Sequence, residues 1–536
     1  MRFQDKLIRK NRNLIWQEYC GFLELSIADY MRIQRRLMDE QMRMWCESGL
    51  GKLLLNGKTP KSIDELRSQL PLTAYSDYAG VLLTKRAEML PAVPIVWIQT
   101  TWEGGVRPFK LAPYTRAMLD TYKHNTLSIT ILTSARNKGD IDVRRGDRIL
   151  YGGAPLPYAT GLIPALLAED IDIVWLPDAK ADALRFSERI KKGFSMAMKS
   201  RIDYFFATGS VANYISENFG KLGNGRSGKV NVSVRNALRW VRAKYYSRRD
   251  SSQIKPRDIF NIKGFVLAGT DSKCYKQRLL DAWGVTPIEI AAGTESTCIA
   301  TETLDNPGMV FFPDACFYEF IPEAEMKKNL NNPNYRPRTC LMDEVEAGVS
   351  YELVISVLHG GVFMRYRIGD VYHCLSVSSS GIPRFTFVDR TPNIIDIAGF
   401  TRLTQNSIEE VIRLSKLGIQ DWIARKEFDE NMNPYFHMYV ELSVDAQQND
   451  VVTNKVLIDH LSAYFRAFDS DYEDLKRLLN IEPLKITVLK YGTIANYEEK
   501  IGQPLPRINT DSLEMIELLK YQSIFRTPPE EEVSEA

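Results

Sequence analysis

The sequence predicts an α/β protein: a large N-terminal domain that begins with helices, followed by a smaller α+β domain. Three observations carry this. First, Gly264 to Thr270 (GFVLAGT) is a strand running into a small-residue turn, Ser272 to Ala282 is helical, and Pro287 to Ser296 is again a short apolar strand that breaks into small residues. Units of this kind gather the carboxyl ends of neighbouring strands around one crevice, where such sheets bind ligands. Second, residues from about Asp5 to Leu55 mix charged and apolar positions as amphipathic helices do. Third, the pattern changes after Arg390: Ser407 to Leu417 reads as helix, Pro434 to Val444 as an alternating strand, Val451 to Leu479 as long helix and Leu484 to Leu489 as a closing strand.

Composition narrows the function class. The chain has 536 residues, 44% of them hydrophobic, enough to bury more than one core. Its formal charge of +2 gives no global field toward nucleic acid or membrane. Seven scattered cysteines with no CxxC pair read as reduced, mostly buried thiols, and five scattered histidines show no zinc spacing. The start, MRFQDKLIRKNRNLIW, has no apolar core of signal-peptide length and no later run approaches a membrane span, so a cytoplasmic location is expected. Met31, Met38, Met42 and Met44 read as core. Basic residues accumulate from Lys221 to Arg257, either as an anion-binding surface or as a solvated helix face; no glycine or aromatic pattern accompanies them, so a nucleic-acid module is not supported.

Candidate site residues lie at the ends of predicted strands. Tyr351 to Leu358 is a buried strand, His359-Gly360-Gly361 a turn, and Phe363 to Asp370 (FMRYRIGD) a second strand that leaves Asp370 at its end. There the carboxylate can accept two hydroxyl hydrogen bonds, as a ribose offers, while Arg365 and Arg367 supply cationic forks for carboxylate or phosphate. The plainer reading is a hairpin with Asp370 capping a turn and both arginines solvated. Glu295 can ligate a hard cation such as Mg²⁺, and Thr294 can donate to phosphate; the plainer reading is a surface glutamate after a strand. Val93 to Ile98 reads as a strand entering Thr100 to Lys110, and Tyr151 to Leu162 as a turn-rich loop.

The order of Ala268-Gly269-Thr270, Gly293-Thr294-Glu295, Tyr366 to Asp370 and Phe387-Val388-Asp389-Arg390 resembles the acyl-adenylate-forming superfamily. Phe317 to Pro322 and Gly361 to Arg367 are most similar to the auxin-responsive acyl-acid amido synthetases and their bacterial relatives, with phenylacetate-CoA ligases next. The resemblance runs from about Pro71 to Arg507 and is tight only in the middle third. It implies an adenylate-forming domain with mixed sheets over residues 1–390, a small mobile domain over 391–525 and a disordered acidic tail over 526–536. It also implies a two-step reaction: a carboxylic acid is activated by ATP with Mg²⁺, and the acyl group passes to an amine or thiol. On that resemblance Asp370 holds the ribose diol, Glu295 the Mg²⁺ and Thr294 the α-phosphate; Ala268, Gly269 and Thr270 line the adenine. Arg390 matches the arginine before the mobile domain. Thr100, Thr101, Gly104, Gly105 and Lys110 form the phosphate loop.

Three positions depart from the family pattern. Glu103 stands inside the phosphate loop, where repulsion at ~6 Å and an effective dielectric of about 20 amounts to roughly 3 kcal/mol. Ala291 replaces an aromatic residue expected against the adenine, worth on the order of 1 kcal/mol. Leu505 stands near the expected adenylate-contacting lysine, for which Lys500 is the substitute. Thr510-Asp511-Ser512-Leu513 reads as a helix N-cap rather than a carrier-protein site. Three functions follow from the sequence: an acyl amido synthetase, an acyl-CoA ligase, and a catalytically weak relative that binds an acid or nucleotide.

Overall fold

The computed structural model describes residues 1–101, 109–184, 186–219, 234–249, 251–303, 307–391, 394–399, 401–443, 454–468, 472 and 483–524. They form two compact units that divide between Thr391 and Pro392. Gly104, Gly105 and Glu103, the centre of the expected phosphate loop, lie outside the described residues, as does the acidic tail.

The helical start belongs to the core of the first unit. Ser26 Oγ accepts from Asp29 N and caps the helix Ile27–Glu47, whose Tyr30, Met31, Leu37, Met38, Met42 and Trp45 are buried. Met44 is the exception to the expected core set, being exposed. Polar side chains of the same helix fix a distant turn: Gln41 Nε2 donates to Gly361 O and Trp45 Nε1 to Val362 O, each at 2.8 Å. This satisfies backbone carbonyls that burial would otherwise leave unpaired. The His359–Gly361 turn is thereby held before the strand that carries the candidate aspartate.

The strands, in chain order, are β1 (Val96–Thr101), β2 (Phe109–Tyr114), β3 (Arg148–Tyr151), β4 (Val174–Leu176), β5 (Tyr204–Thr208), β6 (Gly264–Ala268) and β7 (Ile288–Gly293). They continue with β8 (Thr297–Glu302), β9 (Met309–Phe311), β10 (Cys316–Pro322), β11 (Ser350–Val357), β12 (Tyr366–Val377) and β13 (Pro383–Arg390). Strands β3 to β13 make one sheet in the order β10-β11-β12-β13-β9-β8-β7-β6-β5-β3-β4. From β4 to β7 the pairing is parallel and from β7 to β10 it is antiparallel. The expected mixed α/β fold is therefore present, and the change of pairing falls at the β7–β8 turn, which holds Thr294 and Glu295. β1 and β2 form a separate antiparallel hairpin.

Two expectations about the octapeptide are corrected. Asp370 is not at a strand end but inside the twelve-residue β12, at an irregularity where three β12 residues fall opposite one residue of β11. Gly369, at φ +83°, supplies the left-handed conformation that this bulge needs. Arg365 and Arg367 are not free forks. Arg365 Nε and Nη2 each bind Glu319 at 3.0 Å, and Arg67 Nε joins at 3.1 Å. Burial raises the Glu319 carboxyl, but the Arg365 charge and hydrogen bonds outweigh it and hold the group below its ordinary value. Arg367 is likewise bidentate to Glu352 on the neighbouring β11. A buried guanidinium needs this pairing, so both arginines belong to the framework.

The second unit has its own core. It contains the hairpin β14 (Ile394–Ile397) and β15 (Thr401–Thr404), and a sheet of β16 (Ile419–Phe428), β17 (Pro434–Leu442) and β18 (Leu484–Leu489). Helices Gln405–Ser415 and Asn454–Phe468 pack on each other. Helices Thr493–Ile501 and Ser512–Ile524 close a cluster with Ile423, Tyr439, Ile494, Tyr497, Leu505 and Leu518. Asp511 Oδ1 accepts from Leu513 N at the start of the last helix, the cap expected there. All seven cysteines are free. No described helix is long and apolar enough to cross a membrane.

Candidate active site

The crevice is built from strand ends. β6 stops at Ala268, and Gly269, at φ +107°, turns the chain into the helix Ser272–Trp283, whose first residue donates through Oγ to Ala268 O (3.0 Å) and Gly269 O (2.9 Å). Next to it β5 ends at Thr208, whose hydroxyl accepts from Val211 N and starts the helix Gly209–Glu217. A Cβ on Gly209 would stand 2.9 Å from the Ser272 Cα, so glycine is what lets the two helix starts meet. Ala268, Gly269 and Thr270 thus line the end of a parallel strand pair, beside two helix N-termini.

At the seam of the sheet, Glu295 is 7% exposed and its Oε1 accepts from Lys110 Nζ and from the Tyr366 hydroxyl, each at 3.2 Å. Lys110 Nζ lies 3.4 Å from the same hydroxyl and 5.7 Å above the Tyr75 ring. Tyr75 in turn exchanges hydrogen bonds with the backbone of Leu111, which locks β2 in register against this cluster. Tyr114 donates to Thr294 O at 2.6 Å; burial and the Glu295 charge push its hydroxyl up, so it stays a donor. Sequence reasoning assigned Lys110 to phosphate and Glu295 to metal as separate parts, whereas the fold joins them in one ion pair. It passed over Tyr75, Tyr114 and Tyr366, and only Tyr366 stood within a quoted motif.

Asp370 is paired in register with Arg390 across β12 and β13, Arg390 Nη2 standing 3.6 Å from its Oδ1. Gly369 O accepts from Thr391 N, so the same bulge fixes the last residue of the first unit. Beneath them Tyr372 is buried, its hydroxyl driven up first by burial and then by the charges of Asp370 and Glu289. A Cβ on Gly293 would touch Ile368 at 3.5 Å, which brings the end of β7 against the strand carrying Asp370. Ala291 is buried opposite Ala300. Thr100 lies in β1 facing Lys110, and Thr101 ends that strand.

Lys500 is in the second unit, on the last turn of the helix Thr493–Ile501, exposed, with its ammonium 4.9 Å from the Tyr521 ring and 6.0 Å from that of Tyr497. Leu505 is 4% exposed in that unit's core, a packing residue. Among the described residues no three His, Cys, Asp or Glu side chains converge as a metal cage. One carboxylate suits a cation that takes most of its oxygens from substrate phosphates and water, and Glu295 fits that role.

The fold and crevice define a class first: the chain has the fold of the adenylate-forming ligases. It matches the AtGH3.15 acyl acid amido synthetase in complex with 2,4-DB over 94% of this chain and 95% of that one, at a TM-score of 0.53 and 14% identity. It matches 2-hydroxyisobutyryl-CoA ligase, in complex with 2-HIB-AMP and CoA, over 93% and 94%, at 0.58 and 15%. Within this class, residues 309–390 match the GH3 family central domain, the stretch from β9 to β13 that carries Asp370 and Arg390. No curated protein sequence matches the chain.

Proposed function

We propose that the chain activates a carboxylic acid with ATP and passes the acyl group to an amine. The observation that carries this reading is the GH3 central-domain match over the strand pair bearing Asp370 and Arg390, in a fold whose Glu295–Lys110–Tyr366 cluster sits at the turn between β7 and β8.

In the first step a substrate carboxylate oxygen attacks the α-phosphorus of ATP, a new P–O bond forms, and the bond to the β-phosphate oxygen breaks to release pyrophosphate. The protein's part is positioning and charge stabilisation. Asp370 accepts from the two ribose hydroxyls, with Arg390 fixing its carboxylate. Ala268, Gly269 and Thr270 border the base. Thr294 donates to the α-phosphate, and Thr100 and Thr101 border the remaining phosphates; Gly104 and Gly105, outside the described residues, are assigned to the same loop by resemblance alone. Lys110 is the cation for charge that develops on phosphorus, held in place by Glu295. Glu295 would hold Mg²⁺, which when bound would supply further neutralisation of the phosphate oxygens. In the second step an amine nitrogen attacks the acyl carbon, the acyl–phosphate bond breaks, AMP leaves and the nitrogen loses its proton. Lys500, on the small domain of residues 391–525, supplies the cation of the mobile element.

A thiol acceptor is the second reading, since a CoA ligase shares this fold. An ATP-using enzyme of this kind belongs in the cytoplasm. Pyrophosphate release, assayed with ATP, Mg²⁺ and a panel of carboxylic acids, tests the reading. Acid-dependent release, with an amide product once amino acids are added, is the expected result. A thioester formed with CoA in place of an amide moves the chain to the second reading. No release with any acid leaves a ligand-binding relative and overturns both.

A further inference from the structure

The helix Val234–Arg249 carries six basic residues and no acidic one in sixteen positions. Its underside is docked on the first unit: Asn236 Nδ2 donates to Met198 O and Ser200 O, Arg239 Nη1 to Ile259 O, and the Trp240 ring lies 5.8 Å from that of Phe219. The opposite side is apolar. Val234 is 79% exposed, Leu238 and Val241 each 68%, and Tyr245 66%. At 100° per residue these four fall within about 60° of arc, a straight stripe about 17 Å long.

Cations border this stripe. Arg242 and Arg249 lie on one flank, where both guanidinium groups approach the Tyr246 ring, at 5.7 and 5.2 Å. Lys244 and Arg248 lie on the other flank and are exposed. Among the described residues, Arg242, Lys244 and Arg248 have no carboxylate partner. A soluble surface helix ordinarily turns its apolar face inward; here an apolar ridge points outward between exposed basic residues.

We propose that this helix is a peripheral membrane contact that takes an anionic lipid surface, the stripe entering the headgroup–acyl boundary and the cations pairing with lipid phosphates. Charge chooses among occupants. A second copy of the chain would bring the same four flanking cations against these four and is disfavoured. An acidic protein partner would need a groove to receive a protruding ridge, whereas a bilayer receives one anywhere. The contact is monotopic, the helix lying in the plane of the interface. It is independent of the adenylation reading.

Flotation of the full chain with vesicles tests it, using phosphatidylcholine alone and phosphatidylcholine with 30% phosphatidylserine, in 0.1 M salt. The expected result is binding to the anionic vesicles only. Leu238→Ser with Val241→Ser should weaken that binding at least tenfold. Arg242→Ala with Arg248→Ala should weaken it about 25-fold, on the basis of about fivefold per basic residue. All four side chains are exposed, so the variants should keep the wild-type melting temperature. Failure of the wild-type chain to bind anionic vesicles, or variants that bind as it does, overturns the proposal. So does a lipid-free dimer that becomes a monomer in the stripe variant, which would make the ridge a contact between copies.

Discussion

The two halves of the large sheet do different work. The parallel half, β4 to β7, offers backbone: the glycine turn after β6 and two abutting helix starts, at Gly209 and Ser272. The antiparallel half offers charged side chains, some paired into the framework and others placed at its bulge and seam. Arg365 is bidentate to buried Glu319 and also donates to the Arg67 and Leu70 carbonyls, and Arg367 is bidentate to buried Glu352 and donates to Asn329 Oδ1. Asp370 and Arg390 form an ion pair at 3.6 Å on a bulge. Lys110 and Glu295 sit at the seam and are both buried: the ammonium meets the Glu295 carboxylate and the Tyr366 hydroxyl and lies over the Tyr75 ring, and the carboxylate accepts from Lys110 and Tyr366. Position separates the framework charges from those available to a ligand: Arg365 and Arg367 face buried glutamates of β10 and β11, while Asp370 and Arg390 share the β12 bulge and Glu295 stands at the seam.

The largest expected effect breaks that comparison on its structural side. Arg365→Ala leaves Glu319 buried with Arg67 as its remaining cation beside the Thr339 hydroxyl, and should cost about 3–5 kcal/mol of stability in urea unfolding, the range for removing one member of a buried pair. A loss under ~1 kcal/mol would place Arg365 with the available charges instead.

A pH titration sharpens it next. The Glu289 carboxyl on β7 is pushed up to about 7, first by burial, with Lys276 acting against it. Between its ordinary value and about 7 the folded chain keeps a proton that the unfolded chain has lost, so this group's contribution to stability falls as pH rises and is fully lost above that window. Glu289→Gln should therefore gain on wild type by about 2 kcal/mol between pH 5 and pH 8. A stability difference that stays constant across that range would contradict the burial argument.

How much was legible in the sequence follows the same division. β6, β7 and β18 were readable because each is a short apolar run bounded by turn residues, a local signal. β16 was missed: Gln420, Asp421, Arg425, Lys426 and Glu427 make it look like surface, and the partners that satisfy Glu427, namely Tyr435, His437 and Tyr439, lie on the next strand. Asp370 looked like a strand end because Gly369 reads as a terminator, while the bulge that absorbs it depends on pairing with β11. The Lys110–Glu295 pair joins residues 185 positions apart, which no local pattern encodes. The helix Val234–Arg249 was visible as a basic run, yet a net charge of +2 hid its concentration, and only the structure shows its apolar side facing out.

Calorimetric titration of AMP into the wild-type chain and into Asp370→Ala tests the central claim most directly, because Asp370 is the bulge carboxylate assigned to the ribose. Binding to wild type is expected, weakened at least tenfold by the substitution, since losing hydrogen bonds to a charged acceptor costs about 1.5–3 kcal/mol. A wild-type chain that binds no AMP, or a variant that binds it equally well, would contradict the account.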